Sequence, residues 1–213
     1  MQPYLASSEF IDWRHPEVSA KAAELADGCH DKLQIARHCF EFVRDEIRHS
    51  MDFQANPVTC RASDVLHHRT GYCYAKSHLL AALLRANGIP TGLCYQRLAV
   101  GEHGPPYCLH GLNAAYFEGH GWYRFDARGN KAGVQAEFTP PTERLAFPIA
   151  GDGEADLPEI WPEPLPAVVE TLLRFQTYQD VLENLPDIEL LTPARSPRAS
   201  YKPDDIGMDA NQA

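Results

Sequence analysis

Residues 69–90, RTGYCYAKSHLLAALLRANGIP, form the segment around which the rest of the chain is organised. Its leucines recur at helical spacing among alanines, which favour helix formation. Gly88, followed by Ile89 and Pro90, provides a signal for the end of that helix. The pattern therefore predicts a buried amphipathic helix.

The start of this helix carries a candidate nucleophile, Cys73. Gly71 permits a tight turn there, so the thiol falls at or just before the first helical turn. At this position the thiol lies near unpaired backbone N–H groups and the positive end of the helix dipole. Both favour the thiolate over the thiol. Unpaired cysteines are also frequent in protein cores, so the cysteine alone leaves a purely structural role open.

Two strand-like runs downstream, residues 109–117 and 121–127, predict a β-hairpin. If the three residues between them form the loop, Asp126 falls opposite Leu112 and diagonal to His110. The carboxylate and the imidazole then share one face of the sheet. A loop with an even number of residues would put them on opposite faces, so this prediction depends on the loop length.

Together, Cys73, His110 and Asp126 fit the nucleophile, base and orienting carboxylate of an acyl-transfer site. Cys108 and His110 also have the spacing of a metal-binding pair, but two ligands do not make a site. We also interpret Arg128 as a solvated charge, with pairing to a carboxylate near the cleft as the alternative.

The order and spacing of these motifs resemble the core of the transglutaminase-like superfamily, and more narrowly its bacterial single-domain members. The resemblance extends from about Tyr4 to about Phe147. It implies an α+β, papain-like fold in which N-terminal helices and the nucleophile-bearing helix pack on an antiparallel β-sheet. It also implies that Cys73 is the nucleophile, His110 the base and Asp126 its orienting carboxylate.

The chain departs from animal transglutaminases at the oxyanion hole, because no tryptophan lies between Trp13 and Trp122 to donate to the oxyanion. We expect the backbone N–H of Cys73 to be one donor and take the side chain of Gln54 as the candidate for the other. Calcium sites and extra β domains have no counterpart in the sequence. We therefore expect no metal and no cofactor.

Composition narrows the classes of partner. A net charge of −10 and a pI of about 5.4 disfavour nucleic acid and anionic membrane surfaces. The first residues lack the features of a signal peptide, and no apolar run is long enough to span a membrane, so we expect a cytoplasmic protein. The six cysteines form no close pair in the sequence and are expected to be mostly reduced thiols.

The predicted domain organisation has three parts. Residues 1–150 form the catalytic domain, residues 151–190 a proline-rich acidic connection followed by an amphipathic helix, and residues 191–213 a disordered tail. The amphipathic helix is predicted over residues 167–185, where it either packs back on the domain or pairs with a second copy in a homodimer. Residues 139–166 are expected to link or wrap without packing a core.

The sequence therefore favours an enzyme that acts on a peptide or protein amide through a cysteine thioester. Hydrolysis of a peptide or isopeptide bond, or deamidation of a glutamine side chain, is preferred to cross-linking, because the regulatory domains of the cross-linking enzymes are missing. Two alternatives stay open. One is a non-catalytic binding module of the same fold, and the other is an acyltransferase similar to the arylamine N-acetyltransferases.

Overall fold

The computed structural model describes residues 1–101 and 104–190, and it has the α+β architecture expected from the sequence. A short 3₁₀ helix at Gln2–Leu5 precedes the main elements. The helices are α1 (Pro16–Ala26), α2 (Lys32–Glu46), α3 (Ser50–Phe53), α4 (Ala62–His68), α5 (Cys73–Ala86), α6 (Pro166–Arg174) and α7 (Tyr178–Glu183). The strands are β1 (Arg48–His49), β2 (Thr70–Gly71), β3 (Thr91–Ala99), β4 (Tyr107–Phe117), β5 (Gly121–Phe125) and β6 (Ala155–Asp156).

Helix α5 is the centre of the molecule. Helices α1, α2 and α4 pack against it, and strands β3 and β4 also contact it. Every residue from Cys73 to Arg85 is buried, including the charged ones. The helix is thus enclosed all round, whereas an amphipathic helix would leave one face in solvent.

The main sheet is antiparallel, with strand order β5-β4-β3-β6. The predicted hairpin is confirmed, since β4 and β5 pair Phe117 with Gly121 and, at the far end of the ladder, Asn113 with Phe125. This is the register that a three-residue loop requires. It places Asp126 one residue beyond the last paired position, next to the segment of β4 that carries His110.

A second, two-stranded sheet joins segments that lie far apart in sequence. Strands β1 and β2 pair in parallel, with His49 opposite Gly71. Helix α3 follows directly after β1. The Asp31 side chain caps the start of α2, where it accepts a hydrogen bond from the backbone N–H of Gln34.

The predicted single helix over residues 167–185 is wrong, because α6 and α7 are separate. Phe175 is extended, and Thr177 starts α7 with a capping box in which its side chain and that of Asp180 bond reciprocally to the backbone. The apolar side chains of both helices pack on this chain's own core through Val168, Leu172 and Val181. A homodimer through this region stays a prediction.

Residues 139–166 also pack more closely than predicted. Strand β6 extends the main sheet at β3, Trp161 pairs with Leu93, and Leu157 is buried in the core. The expectation that this segment contributes no core is therefore wrong. In the described part of the chain, no helix is long and apolar enough to cross a membrane. The predicted disordered tail, residues 191–213, lies outside the described residues.

Candidate active site

Cys73 is the first residue of α5. Tyr72 precedes it in an extended conformation and makes no side-chain cap, so no side chain occupies the N–H groups of the first turn. Gly71 is required here for close approach and not for a positive φ. A Cβ atom on it would lie 3.1 Å from both Ala75 Cβ and Thr59 Oγ1.

Strand β4 lies directly across the first turn of α5. The backbone N–H of Gly111 donates to Cys73 Sγ at 3.4 Å. A Cβ atom on Gly111 would lie 3.1 Å from Tyr74 Cα, which is tighter than most side chains tolerate. The hydroxyl of Tyr74 donates to the carbonyl oxygen of Leu109 and fixes the same contact. Glycine at this position lets β4 carry His110 up to the thiol.

His110 and Asp126 form a buried hydrogen-bonded pair, with 2.7 Å between His110 Nε2 and Asp126 Oδ2. The carboxylate is fully buried and also accepts hydrogen bonds from the backbone N–H groups of Arg128 at 3.0 Å and Ala146 at 3.1 Å. Because Asp126 occupies Nε2, the other ring nitrogen is the one left for Cys73, whose side chain also acts on the pKa of His110.

The electrostatics of this group favour a charged imidazole. Burial lowers the pKa of His110, but the charges of Asp126 and Cys73 outweigh burial and raise that pKa to about 10. Burial raises the pKa of Asp126, and the His110 charge together with the hydrogen bonds to Asp126 outweighs it, so the net shift is downward. The electrostatics therefore favour an imidazolium, paired with the Asp126 carboxylate, at neutral pH.

Four other thiols, three of them buried and one half-buried, have raised pKa values. Burial raises the pKa to about 12 in each of them, so they stay protonated and unreactive at neutral pH. They are Cys39, Cys60, Cys94 and Cys108.

Comparison with known proteins identifies the family of the chain. The sequence profile of the transglutaminase-like superfamily matches residues 19–127, just over half of the chain. The chain belongs to the transglutaminase-like superfamily. This membership agrees with the α+β fold class. No curated protein matches the sequence.

Several solved structures are similar in fold to part of this chain. A candidate cysteine protease from Cytophaga hutchinsonii is 22% identical, with a TM-score of 0.48, 60% of this chain and 41% of that chain covered. The periplasmic domain of TgpA from Pseudomonas aeruginosa is 20% identical, with a TM-score of 0.45 and coverage of 58% and 45%. Red sea bream transglutaminase is 13% identical, with a TM-score of 0.42 and coverage of 55% and 27%. The chain thus spans less than half the length of these structures.

A cluster of charged side chains lies beside the candidate active site. Arg128 is buried and forms two hydrogen bonds to the Asp52 carboxylate, and Lys131 bonds to the same carboxylate at 2.7 Å. The interpretation of Arg128 as a solvated charge is wrong, and its alternative, a carboxylate partner, is correct. Burial raises the pKa of Asp52, but these two cations outweigh it and lower the pKa to about 2.

His49 is a second histidine at the site that the sequence did not single out. It is buried, its ring packs edge-on against Tyr72 at 5.6 Å between centroids, and its Nδ1 has no hydrogen-bond partner. That nitrogen lies 3.8 Å from Asp52 Oδ2, beyond hydrogen-bonding distance. Burial, followed by the charge of Arg128, lowers the pKa of His49 well below its usual range, so this imidazole is neutral.

Lys76, one turn after the nucleophile, is also buried without a carboxylate partner. Its ammonium donates to the backbone carbonyls of Ile47 and, at 3.4 Å, Arg44, at the end of α2. Burial lowers the pKa of Lys76 to about 7, partly offset by the charge of Asp126.

A cavity of about 460 Å³ opens beside Cys73 and His110. Gln54, the predicted second oxyanion donor, does not line it. That residue ends α3 in a left-handed conformation, and its side chain is exposed, so the structure does not bring it to the thiol. Phe147, which lies beyond the segment matched by the superfamily, packs edge-on against His110 at 5.1 Å between ring centroids and forms part of the wall.

The metal interpretation finds no support in the described residues, where no three potential ligands of the histidine, cysteine or carboxylate type converge. Cys29 and His38 do meet, with 3.3 Å between Sγ and Nδ1, but the same nitrogen also contacts the carbonyl oxygen of Leu25. This pair lacks the orienting carboxylate that His110 has.

Local sequence signals for the missed residues are few. Gly111 stands in a β-strand, where glycine often marks a close approach of another backbone, and this signal was available. His49 lies shortly after the end of helix α2 and is not part of a recognisable motif. Its position depends on pairing with Gly71, which only the folded chain shows.

Proposed function

We propose that this protein is a cysteine enzyme that cleaves amide bonds through a thioester on Cys73. The observation that carries the proposal is the 2.7 Å hydrogen bond between His110 and the fully buried Asp126, with Cys73 Sγ bonded at 3.4 Å to the backbone N–H of Gly111, the residue after His110. A nucleophile, a base and an orienting carboxylate in this order are what acyl transfer requires.

In the first step, the Cys73 thiolate attacks the amide carbonyl carbon. A sulfur–carbon bond forms and the carbonyl becomes an oxyanion. As the carbon–nitrogen bond breaks, the His110 imidazolium transfers its proton to the departing amine. An acyl thioester on Cys73 and a free amine result, and His110 is left neutral.

In the second step, neutral His110 takes a proton from water, and the resulting hydroxide attacks the thioester. The carbon–sulfur bond breaks, the carboxylic acid product leaves, and the thiolate and imidazolium are restored. An amine in place of water would instead give transfer. Water is the acceptor in this proposal.

Backbone N–H groups support the oxyanion in this proposal. The first-turn N–H groups of α5 have no side-chain cap, so that of Cys73 is free to donate. His49 also lines the cavity, and we take it in place of Gln54 as the candidate side chain that contacts the substrate.

Alkylation at pH 6 by a limiting amount of iodoacetamide, followed by intact-mass analysis, tests the triad directly. An ordinary thiol, with a pKa of about 8.5, reacts slowly at this pH, whereas a thiolate paired with an imidazolium reacts fast. We expect fast single labelling in the wild type and its loss in both Cys73→Ser and His110→Ala.

Cys29→Ser is the matched control, because Cys29 contacts a histidine that has no orienting carboxylate. This variant should keep the fast labelling. Slow labelling of the wild type, or labelling that does not depend on His110, would contradict the enzyme proposal and favour a binding module. Acid quenching during turnover of an amide should also trap an acyl adduct on Cys73.

A further inference from the structure

The apolar wall of the cavity is built from two parts of the chain. Strand β3 contributes Leu98 from within residues 19–127, and Phe147 and the two leucines of the C-terminal segment, Leu182 and Leu185, come from beyond the segment matched by the superfamily. Residues outside that segment thus form part of the surface that the acyl part of a substrate would contact.

These wall elements are held firmly against the catalytic core. The backbone N–H of Leu109, next to His110, donates to the carbonyl oxygen of Pro186 at 2.7 Å. Arg97 of β3 forms two hydrogen bonds, at 2.8 and 2.7 Å, with the Asp187 carboxylate. The C-terminal segment therefore forms one side of the cavity, and its hydrogen bonds to β3 and β4 hold Leu182 and Leu185 in the cavity wall.

The charges in the cavity wall are already satisfied within the protein. Arg128 and Lys131 both bond to Asp52. Glu154 accepts hydrogen bonds from the backbone N–H groups of Ala99, Ala150 and Gly151. A charged substrate group would have to compete with these bonds, whereas an apolar group needs only to displace water from apolar walls.

Exposed apolar side chains continue this surface to the mouth of the cavity. Val100 is 47% exposed and Leu182 36% exposed, and both line the cavity. Large exposed apolar side chains grouped around one opening are typical of a ligand-binding surface.

We propose that the acyl group accepted by Cys73 carries a bulky apolar side chain, aromatic or branched aliphatic, that fills this cavity. The substrate is then an amide flanked by such a group, and not the carboxamide of a glutamine side chain. The inference rests on the proposed thioester chemistry and narrows it. A volume of about 460 Å³ lies in the range of small-molecule pockets and accommodates a group of this size.

Chloromethyl ketones of N-acetyl-phenylalanine, leucine, glutamine and glutamate provide the test. Each forms a thioether with Cys73 and releases chloride, so the rate reports how well the side chain fits without requiring a leaving amine. We expect the phenylalanine and leucine probes to label Cys73 at least tenfold faster than the glutamine and glutamate probes. Equal rates, a reversed order, or no probe faster than iodoacetamide would overturn the inference.

Two exposed leucines provide matched variants. Leu182→Asp places a charge in the cavity wall and should slow the phenylalanine probe at least tenfold more than it slows iodoacetamide. Leu173→Asp, on α6 and 56% exposed, is outside the cavity and should change neither rate. An equal effect of both variants would contradict the inference. Slow, His110-independent iodoacetamide labelling would instead indicate failure of the proposed function itself.

Discussion

At the scale of single residues, the site depends on one buried carboxylate. Asp126 raises the pKa of His110 against the opposing effect of burial, and its two oxygens also order the backbone at Arg128 and Ala146. Asp126 therefore links the charge of His110 to the position of the surrounding backbone.

Asp126→Asn should therefore keep the fold and lose the reactivity. The amide is similar in shape and still accepts hydrogen bonds, but it removes the negative charge that holds His110 protonated. We expect alkylation of Cys73 at pH 6 to slow about 10²-fold, measured by intact mass. Unchanged labelling in this variant would show that the carboxylate does not act on the site.

Lys76 gives a prediction for stability. Its pKa is about 7 in the folded protein, below its ordinary value of 10.5, so the unfolded chain binds more protons between these two pH values. The free energy of unfolding therefore gains a contribution that rises with pH across this range. Urea unfolding at pH 7 and pH 10 should show wild-type stability increasing relative to Lys76→Met. A flat difference would contradict this.

At the scale of elements, the contact between β4 and α5 sets the geometry of the site. Gly111→Ala places a Cβ atom 3.1 Å from the Tyr74 backbone and must push the strand from the helix by a few tenths of an ångström. We expect the variant to fold and the labelling of Cys73 at pH 6 to fall by about tenfold, because small misplacements of reacting groups are costly.

The control for this substitution is Gly151→Ala. Its added Cβ atom would meet its nearest neighbour at 3.8 Å, an ordinary contact, and its φ is not in the left-handed region. Labelling should match the wild type. An equal loss in both variants would indicate general disturbance and not the contact of β4 with α5.

At the scale of the whole molecule, Arg85 of α5 joins three distant segments. Its buried guanidinium donates to the carbonyl oxygens of Thr91 at 3.0 Å, Ala6 at 2.9 Å and Pro162 at 2.5 Å. Burial lowers its pKa to about 10, so it is still charged at neutral pH. The start of the chain, strand β3 and the proline-rich segment are thus anchored to the same helix.

Arg85→Leu should lower the free energy of unfolding by about 3 kcal/mol, because it leaves buried carbonyl groups without a charged donor. Urea denaturation measures the change. Arg61→Ala removes an exposed ion pair with Glu9 and should cost less than about 1 kcal/mol. Similar losses in the two variants would contradict the role assigned to Arg85.

The sequence alone determined the features that depend on short-range pattern. Leucine periodicity and a terminal glycine predicted α5, and a three-residue loop predicted the register that brings His110 and Asp126 together. Local periodicity can also mislead, since the apolar spacing over residues 167–185 continues across the break at Thr177. The capping pair of Thr177 and Asp180 was the local signal against a single helix.

Only the tertiary structure decided what surrounds the nucleophile. The pairing of His49 with Gly71, the bonds of Arg128 to Asp52 and the place of Leu185 in the wall of the cavity each join residues far apart in sequence. Such contacts form because burial of apolar surface and pairing of charges are settled over the whole chain at once, and no local spacing reports them. Short motifs therefore predict the candidate catalytic residues, whereas the shape of the cavity that would receive a substrate depends on the tertiary structure.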